Sequence, residues 1–147
     1  MLKDQILGTW RLKTYEAVGP HGELMYPVGR DAIGVLAYDE QGHVSVHIMT
    51  PGRTAFAGGD LSSAGDAEFA AAARGYFAYY GIFEVDEAAR TVTHKLEMCL
   101  VPNWVGAAQL RHAVLEGTRL VLSGGPVTMD GLPRMLRIVW ERERKAG

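Results

Sequence analysis

The sequence contains a single cysteine, Cys99, in 147 residues. No internal disulfide can form, so the fold must rest on its own core, and this cysteine usage fits a reducing compartment. No apolar run approaches the roughly 20 residues that a membrane-spanning helix needs. Lys3 and Asp4 interrupt the start before a secretory apolar region can build. The expectation is a cytoplasmic protein with no membrane partner. An excess of charge is also missing. Fifteen basic against seventeen acidic side chains leave a formal net charge of -2, with no footprint for nucleic acid. Catalytic signatures are equally scarce. The pairs Gly58-Gly59 and Gly124-Gly125 lack the flanks of a phosphate-binding loop, and no nucleophile elbow occurs. His43 and His47 are four apart, but on a strand that spacing spans about 13 Å, too far to chelate one ion. A metal shared by His47 and His94 would need two strands to bring them together. Nothing in the spacing calls for one, and neither a metal nor an organic cofactor is expected.

What remains is ordinary for a globular chain: 48% apolar residues, 22% charged, and a length suited to one domain with a real core over residues 1–147. The pattern within it is mostly a period of two, which marks half-buried strands. Eight such strands are expected, at 6–18, 33–39, 43–50, 76–85, 91–100, 109–116, 120–123 and 134–142. Glu40-Gln41-Gly42 closes the clearest hairpin, and a loop rich in Gly and Pro is expected from Gly124 to Pro133. One stretch breaks the rule. Asp66 to Arg74 is Ala-rich with acidic residues in its first turn, Ser63 placed as a cap and Gly75 placed to end it. A short helix is expected there, between strands three and four. Short connections between antiparallel strands predict an all-β, eight-stranded up-and-down barrel, whose centre can hold one small ligand. Closure also removes the exposed edges that favour aggregation.

The stretch from Thr91 to Arg111 places unusual groups in this frame. Val92, His94, Leu96, Met98 and Leu100 share one strand face, while Lys95, Glu97 and Cys99 take the other. His94 therefore points inward, where burial favours the neutral imidazole. It either serves as a polar anchor or proton carrier, or is a core histidine bonded to a neighbouring tyrosine or carbonyl. A Phe at 94 is expected to keep the barrel folded. Tyr79, Gly81 and Phe83 face inward on the preceding strand, with Gly81 leaving room for a ligand or a bulky neighbour. Trp10, Leu12 and Thr14 share the inner face of the first strand, opposite Tyr15. The strand at 43–50 does not declare its inner face. Either Val44, Val46 and Ile48 point inward, or Ser45, His47 and Met49 do. Asn103 and Trp104 lie in the turn Pro102 to Gly106, with Gln109 and Arg111 just beyond. Arg111 is read either as stacking on Trp10 at a barrel end or as an anchor for an anion or carbonyl.

Several segments together resemble the lipocalin-like domain family of small bacterial and fungal proteins, within the broader calycin barrels. They are Gly8-Thr9-Trp10-Arg11-Leu12, Tyr26-Pro27-Val28-Gly29, Gly34-Val35-Leu36-Ala37-Tyr38, Tyr79-Tyr80-Gly81, Pro102-Asn103-Trp104-Val105-Gly106 with Gln109 and Arg111, and the terminal Val139-Trp140. The resemblance covers nearly the whole chain. It implies an eight-stranded barrel with a central pocket and a helix near its mouth, but no particular reaction. With no signal peptide expected at its start and a single cysteine, the chain is expected to differ from secreted lipocalins.

The function expected is binding of a small, largely apolar molecule in the barrel cavity. The candidate ligand-binding residues are Trp10, Tyr38, His47, Tyr79, Phe83, His94, Met98, Asn103, Trp104, Gln109 and Arg111. The alternative is a cofactor-independent isomerase, cyclase or lyase in the same pocket. There His94 would be the acid/base, Tyr79 or His47 would orient it, and Arg111 would stabilise developing negative charge. A third reading is a cavity filled by the chain's own aromatic side chains. The protein is expected to act as a monomer or homodimer.

Overall fold

A computed structural model describes residues 1–144. Its strands are β1 (Gly8–Val18), β2 (Leu24–Met25), β3 (Ile33–Tyr38), β4 (His43–Met49), β5 (Tyr76–Asp86), β6 (Thr91–Cys99), β7 (Ala108–Glu116), β8 (Arg119–Met129) and β9 (Leu132–Arg142). Two short helices, α1 (Leu2–Ile6) and α2 (Asp66–Arg74), complete it. Every pairing is antiparallel, and β1 pairs with both β3 and β9. The sheet thus closes into an eight-stranded barrel, with the two-residue β2 adding to the end of β1.

The core is one cluster inside the barrel, fed by alternate residues of each strand. In β4 the aliphatic choice holds: Val44, Val46 and Ile48 are buried, and His47 is exposed on the outer wall. Two strands change phase part-way. In β1 the register against β9 slips between Leu12 and Thr14. Lys13 is the extra residue of a bulge, which bends the strand and re-aims the side chains beyond it. Trp10 is inward before it, and Tyr15 and Ala17 are inward after it, so Tyr15 lies on the inner side, not opposite Trp10 as alternation alone implies. In β6 the register slips again, with Tyr80 opposite Met98 but Gly81 opposite Leu96. Glu97 is the extra residue. His94 and Leu96 point inward, whereas Met98 is 59% exposed and Leu100 is exposed too. The expectation that both share the face of His94 fails for this reason, and Cys99 instead packs partly against the core.

Gly81 belongs to the same irregularity. A Cβ built there would sit 1.9 Å from the Lys95 carbonyl oxygen. The space that Gly81 leaves is filled by backbone at the bulge, not by a ligand.

One barrel end is closed by α1. A five-residue helix is too short to hold itself together in water, and α1 carries no periodic signal that would announce it. It forms because Leu2 and Ile6 are fully buried, each contributing roughly 1.5–3 kcal/mol. In addition, the Glu87 carboxylate accepts the backbone N–H groups of Leu2 and Lys3 at 2.8 and 3.0 Å. The Trp10 indole donates to the Ile6 carbonyl at 2.8 Å. Arg142 lies 4.2 Å over the Trp10 ring and donates to the Leu7 carbonyl. The stacking role at the barrel end is thus filled by Arg142, not Arg111.

Helix α2 begins two residues later than a Ser63 cap would place it. Gly65 is the N-cap, and the Glu68 carboxylate accepts its N–H. Ser63 instead ends a short 3-10 turn, Leu61–Ser63, capped by Asp60. No residue of α2 is buried. The region expected as a loop from Gly124 to Pro133 is mostly strand: β8 and β9 run on together and turn at Asp130-Gly131. Gly125 and Pro126 sit at a register shift between Gly124 and Val127, and the pairing on either side carries the strands past them.

Gly81→Ala should therefore destabilise the barrel by about 1–3 kcal/mol, the usual penalty of forcing atoms into a filled site. Chemical denaturation measures this, and an unchanged midpoint would show that the bulge is free to shift.

Candidate functional site

The alternation that buries His94 also brings it opposite Phe83 on β5 and Gln109 on β7. His94 is 1% exposed, and both of its ring nitrogens are engaged. Nε2 is 2.6 Å from the Tyr38 hydroxyl and Nδ1 is 2.6 Å from the Tyr79 hydroxyl. The core histidine bonded to a neighbouring tyrosine is thus realised twice over. Burial, reinforced by the nearby Arg111 charge, lowers the imidazole pKa from 6.5 to about 3. Burial raises both tyrosine hydroxyls. A second tyrosine adds to that at Tyr38, and Arg111 offsets part of it at both. All three groups are neutral near pH 7.

A neutral imidazole has one N–H, so the chain Tyr38–His94–Tyr79 has two possible polarities. If Nε2 carries the proton, it donates to Tyr38, whose own O–H is then left without an acceptor. Tyr38 is fully buried with its ring 4.6 Å from that of Phe83, and an orphaned donor there is costly. If Nδ1 carries the proton, Tyr38 donates to Nε2 and Nδ1 donates to Tyr79. The proton left over is that of Tyr79, which lines the cavity. The second arrangement leaves its unpaired O–H on the cavity wall, where a water or a ligand can accept it, so the Tyr79 hydroxyl is set to donate into the barrel centre.

The cavity is walled by aliphatic side chains such as Leu36, Ile48 and Leu136, and by Tyr15, Phe77, Trp104 and Trp140. Gln109 and Arg111 enter it from β7. Arg111 is 7% exposed. Its guanidinium donates to the Gln109 side-chain oxygen at 2.9 Å and to the Leu110 carbonyl at 3.2 Å. Gly124 makes room for it: a Cβ there would lie 3.0 Å from Arg111 Nη1. The Trp140 indole N–H is buried without a partner among the described residues. The space left between these groups is about 20 Å³, room for about one water molecule.

Of the candidate residues, Tyr79, His94, Trp104, Gln109 and Arg111 come together around this space. Tyr38 and Phe83 support it from behind. Trp10 lies under Arg142 at the closed end. Asn103 is exposed in the 3-10 turn Pro102–Trp104. His47 and Met98 are outside, with His47 Nδ1 2.8 Å from the Tyr76 hydroxyl. With His47 outside and His94 inside, the barrel wall separates them, so they cannot share a metal. Tyr15 and Trp140 line the cavity but were absent from the candidates. The bulge at Lys13 hid Tyr15, whereas Trp140 lay in view on the face of Leu136 and Ile138.

The lipocalin-like domain model matches residues 7–143. The chain belongs to the lipocalin-like domain family. It is also similar to the 4'-hydroxy-3'-methoxypropiophenone carrier protein ppsC of Aspergillus oryzae, at 34% identity over 106 residues, covering 67% of this chain and 96% of that protein. No solved structure matches. Among the described residues no helix is long and apolar enough to cross a membrane.

His94→Phe, harmless by volume alone, leaves two buried hydroxyls without partners and should cost about 1–3 kcal/mol for each. His94→Gln retains a donor and an acceptor and should cost less. The pH dependence has a definite sign. The unfolded imidazole, at 6.5, takes up a proton that the folded one, at about 3, refuses. This stabilisation is therefore complete above pH 6.5 and is lost as pH falls toward 3. Denaturation midpoints measured across that range should fall more steeply for the parent protein than for His94→Gln. Parallel curves would contradict the burial of a neutral imidazole.

Proposed function

We propose that this protein binds a small, largely apolar molecule in the barrel cavity and carries it without changing it. The observation behind this is the mismatch between wall and donors. An otherwise apolar and aromatic lining contains an O–H, an indole N–H and a guanidinium that the protein's own acceptors do not exhaust. Such convergent donors in an apolar setting are what orient a ligand in a pocket. Membership of the lipocalin-like family and the likeness to a carrier protein support the same reading. That carrier's name describes a phenolic aryl ketone, and its oxygens are acceptors of the kind that the Tyr79 hydroxyl and Arg111 suit. The ligand class proposed is accordingly an aromatic compound bearing a carbonyl. Tyr79, His94, Trp104, Gln109 and Arg111 make the site, with Tyr38 and Phe83 behind them. Residence in the cytoplasm is the compartment we propose.

A molecule of that size does not fit into about 20 Å³, so entry requires side chains to move. The half-buried pair at the cavity edge is Phe77 and Trp104, packed edge to face with ring centroids 5.8 Å apart. Trp104 sits on the short 3-10 turn, held by backbone bonds to Val101 and Ala107. An outward swing of its indole opens the space without breaking the barrel's strand pairing.

The acid–base enzyme is the weaker reading. Both nitrogens of His94 are occupied by tyrosines, so no substrate atom reaches the imidazole directly. Any proton would have to pass through Tyr79.

Titration with 4'-hydroxy-3'-methoxypropiophenone should raise the unfolding temperature. At a ligand concentration of about 100 times Kd the stabilisation is ~2.7 kcal/mol, or roughly 5–10 °C for a chain of this size. Trp104→Ala should speed association by widening the entry. Absence of any shift or heat of binding with aryl ketones at millimolar concentration would sink the carrier reading. Conversion of the bound ligand would favour the enzyme.

A further inference from the structure

Among the described residues Arg111 is the one side chain with a permanent charge that lines the cavity. A guanidinium has five N–H donors. The two protein acceptors that Arg111 meets, the Gln109 amide oxygen and the Leu110 carbonyl, are both neutral. The salt bridges among the described residues lie on the surface, at Arg11–Glu143, His43–Asp39, Lys95–Glu84 and Arg119–Glu141. The titratable groups within reach of Arg111's field are Tyr15 from β1, Tyr38 from β3, Tyr79 from β5 and His94 from β6. Each is neutral near pH 7, so none supplies a counter-charge. A cation taken out of water with no anion beside it is costly. A protein that keeps one in an aromatic cavity has prepared half of an ion pair. The Tyr79 hydroxyl, with its proton directed into the same space, adds a donor that strengthens toward a charged acceptor.

We propose that the cavity binds its ligand as an aromatic oxyanion, a phenolate or an aryl carboxylate, with Arg111 as the counter-cation and Tyr79 as the hydrogen-bond donor. The proposal rests on the cavity being a ligand site and deepens that reading. It names the charge state and chemical class of what enters. For a phenol, the O–H bond breaks on binding and its proton leaves to bulk buffer. No cavity group takes it: Arg111 and Tyr79 already hold their protons, and His94 stays neutral between its two tyrosines. The aromatic ring then stacks among Phe77, Trp104 and Tyr15, and Gln109 holds the guanidinium in place.

The test uses three probes: para-hydroxyacetophenone, its methyl ether para-methoxyacetophenone, and benzoate. The ether has the same ring and ketone but cannot ionise. The phenol and benzoate should each bind more tightly than the ether, on the order of ten-fold. At a pH about one unit below the free phenol's pKa, the bound phenol should show the red-shifted phenolate absorption, because a neighbouring cation lowers that pKa. Arg111→Met should abolish both the preference and the shift, while Arg111→Lys, which keeps the charge, should retain much of the shift. If Arg111→Met does not fold, Arg111→Gln takes its place. The proposal is overturned if phenol and ether bind equally and the bound phenol keeps its neutral spectrum. It is equally overturned if the shift survives in Arg111→Met. If none of the three probes binds, the ligand-site reading falls with it, so the two failures are distinguishable.

Discussion

The barrel centre is organised around one neutral imidazole. His94 is too deeply buried to be charged and too polar to be left alone, so the surrounding strands must supply a partner for each nitrogen. Tyr38 from β3 and Tyr79 from β5 do so at 2.6 Å each. That requirement ties three strands together at a fixed height in the barrel. It also has a chemical consequence. Because Tyr38 has no other acceptor near it, the whole chain of hydrogen bonds takes one direction, and the proton that remains over is delivered to the cavity through Tyr79. An interaction that stabilises the core thereby sets the direction of the donor that faces the cavity.

Arg111 pulls the other way. The histidine and tyrosines are satisfied inside the protein, whereas the guanidinium meets only neutral acceptors. Its field depresses the imidazole further and so reinforces the neutral chain beside it. The polar groups of the core are thus paired among themselves, whereas the guanidinium at the cavity edge is not matched by a charge, as the proposed ligand site requires. The aromatic side chains of Phe77 and Trp104 meet edge to face at the cavity edge, and Trp104 sits on a short turn rather than on the strands that carry the donors.

Much of this was legible in the sequence, and the failures have definite causes. Alternation identified the strands, the inward face of Tyr79 and Phe83, and the burial of His94, because a slip of one residue would have put Lys95 and Glu97 inside. It failed at Lys13 and Glu97, where one extra residue re-aims everything after it. Nothing in the side chains at those positions announces a bulge, although Gly81 opposite the second is its trace on the partner strand. Met98, Leu100 and Tyr15 were misplaced for that reason alone. Helix α1 was invisible because tertiary contacts, not periodicity, hold it. Ser63 was a plausible cap displaced by Gly65, since the Glu68 carboxylate satisfies the Gly65 N–H without it. The partners of Arg111 and Trp10 were exchangeable in sequence. Only the closure of β1 on β9 assigns Arg142 to the Trp10 ring and leaves Arg111 to the cavity.

The direction of the hydrogen-bond chain through His94 sets which hydroxyl donates into the cavity. Nitrogen NMR of the imidazole in the ligand-free protein near pH 7 reads it directly, since protonated and unprotonated ring nitrogens resonate far apart. One neutral ring is expected, with Nδ1 protonated and Nε2 unprotonated. Protonation of both nitrogens, or of Nε2 alone, would contradict it.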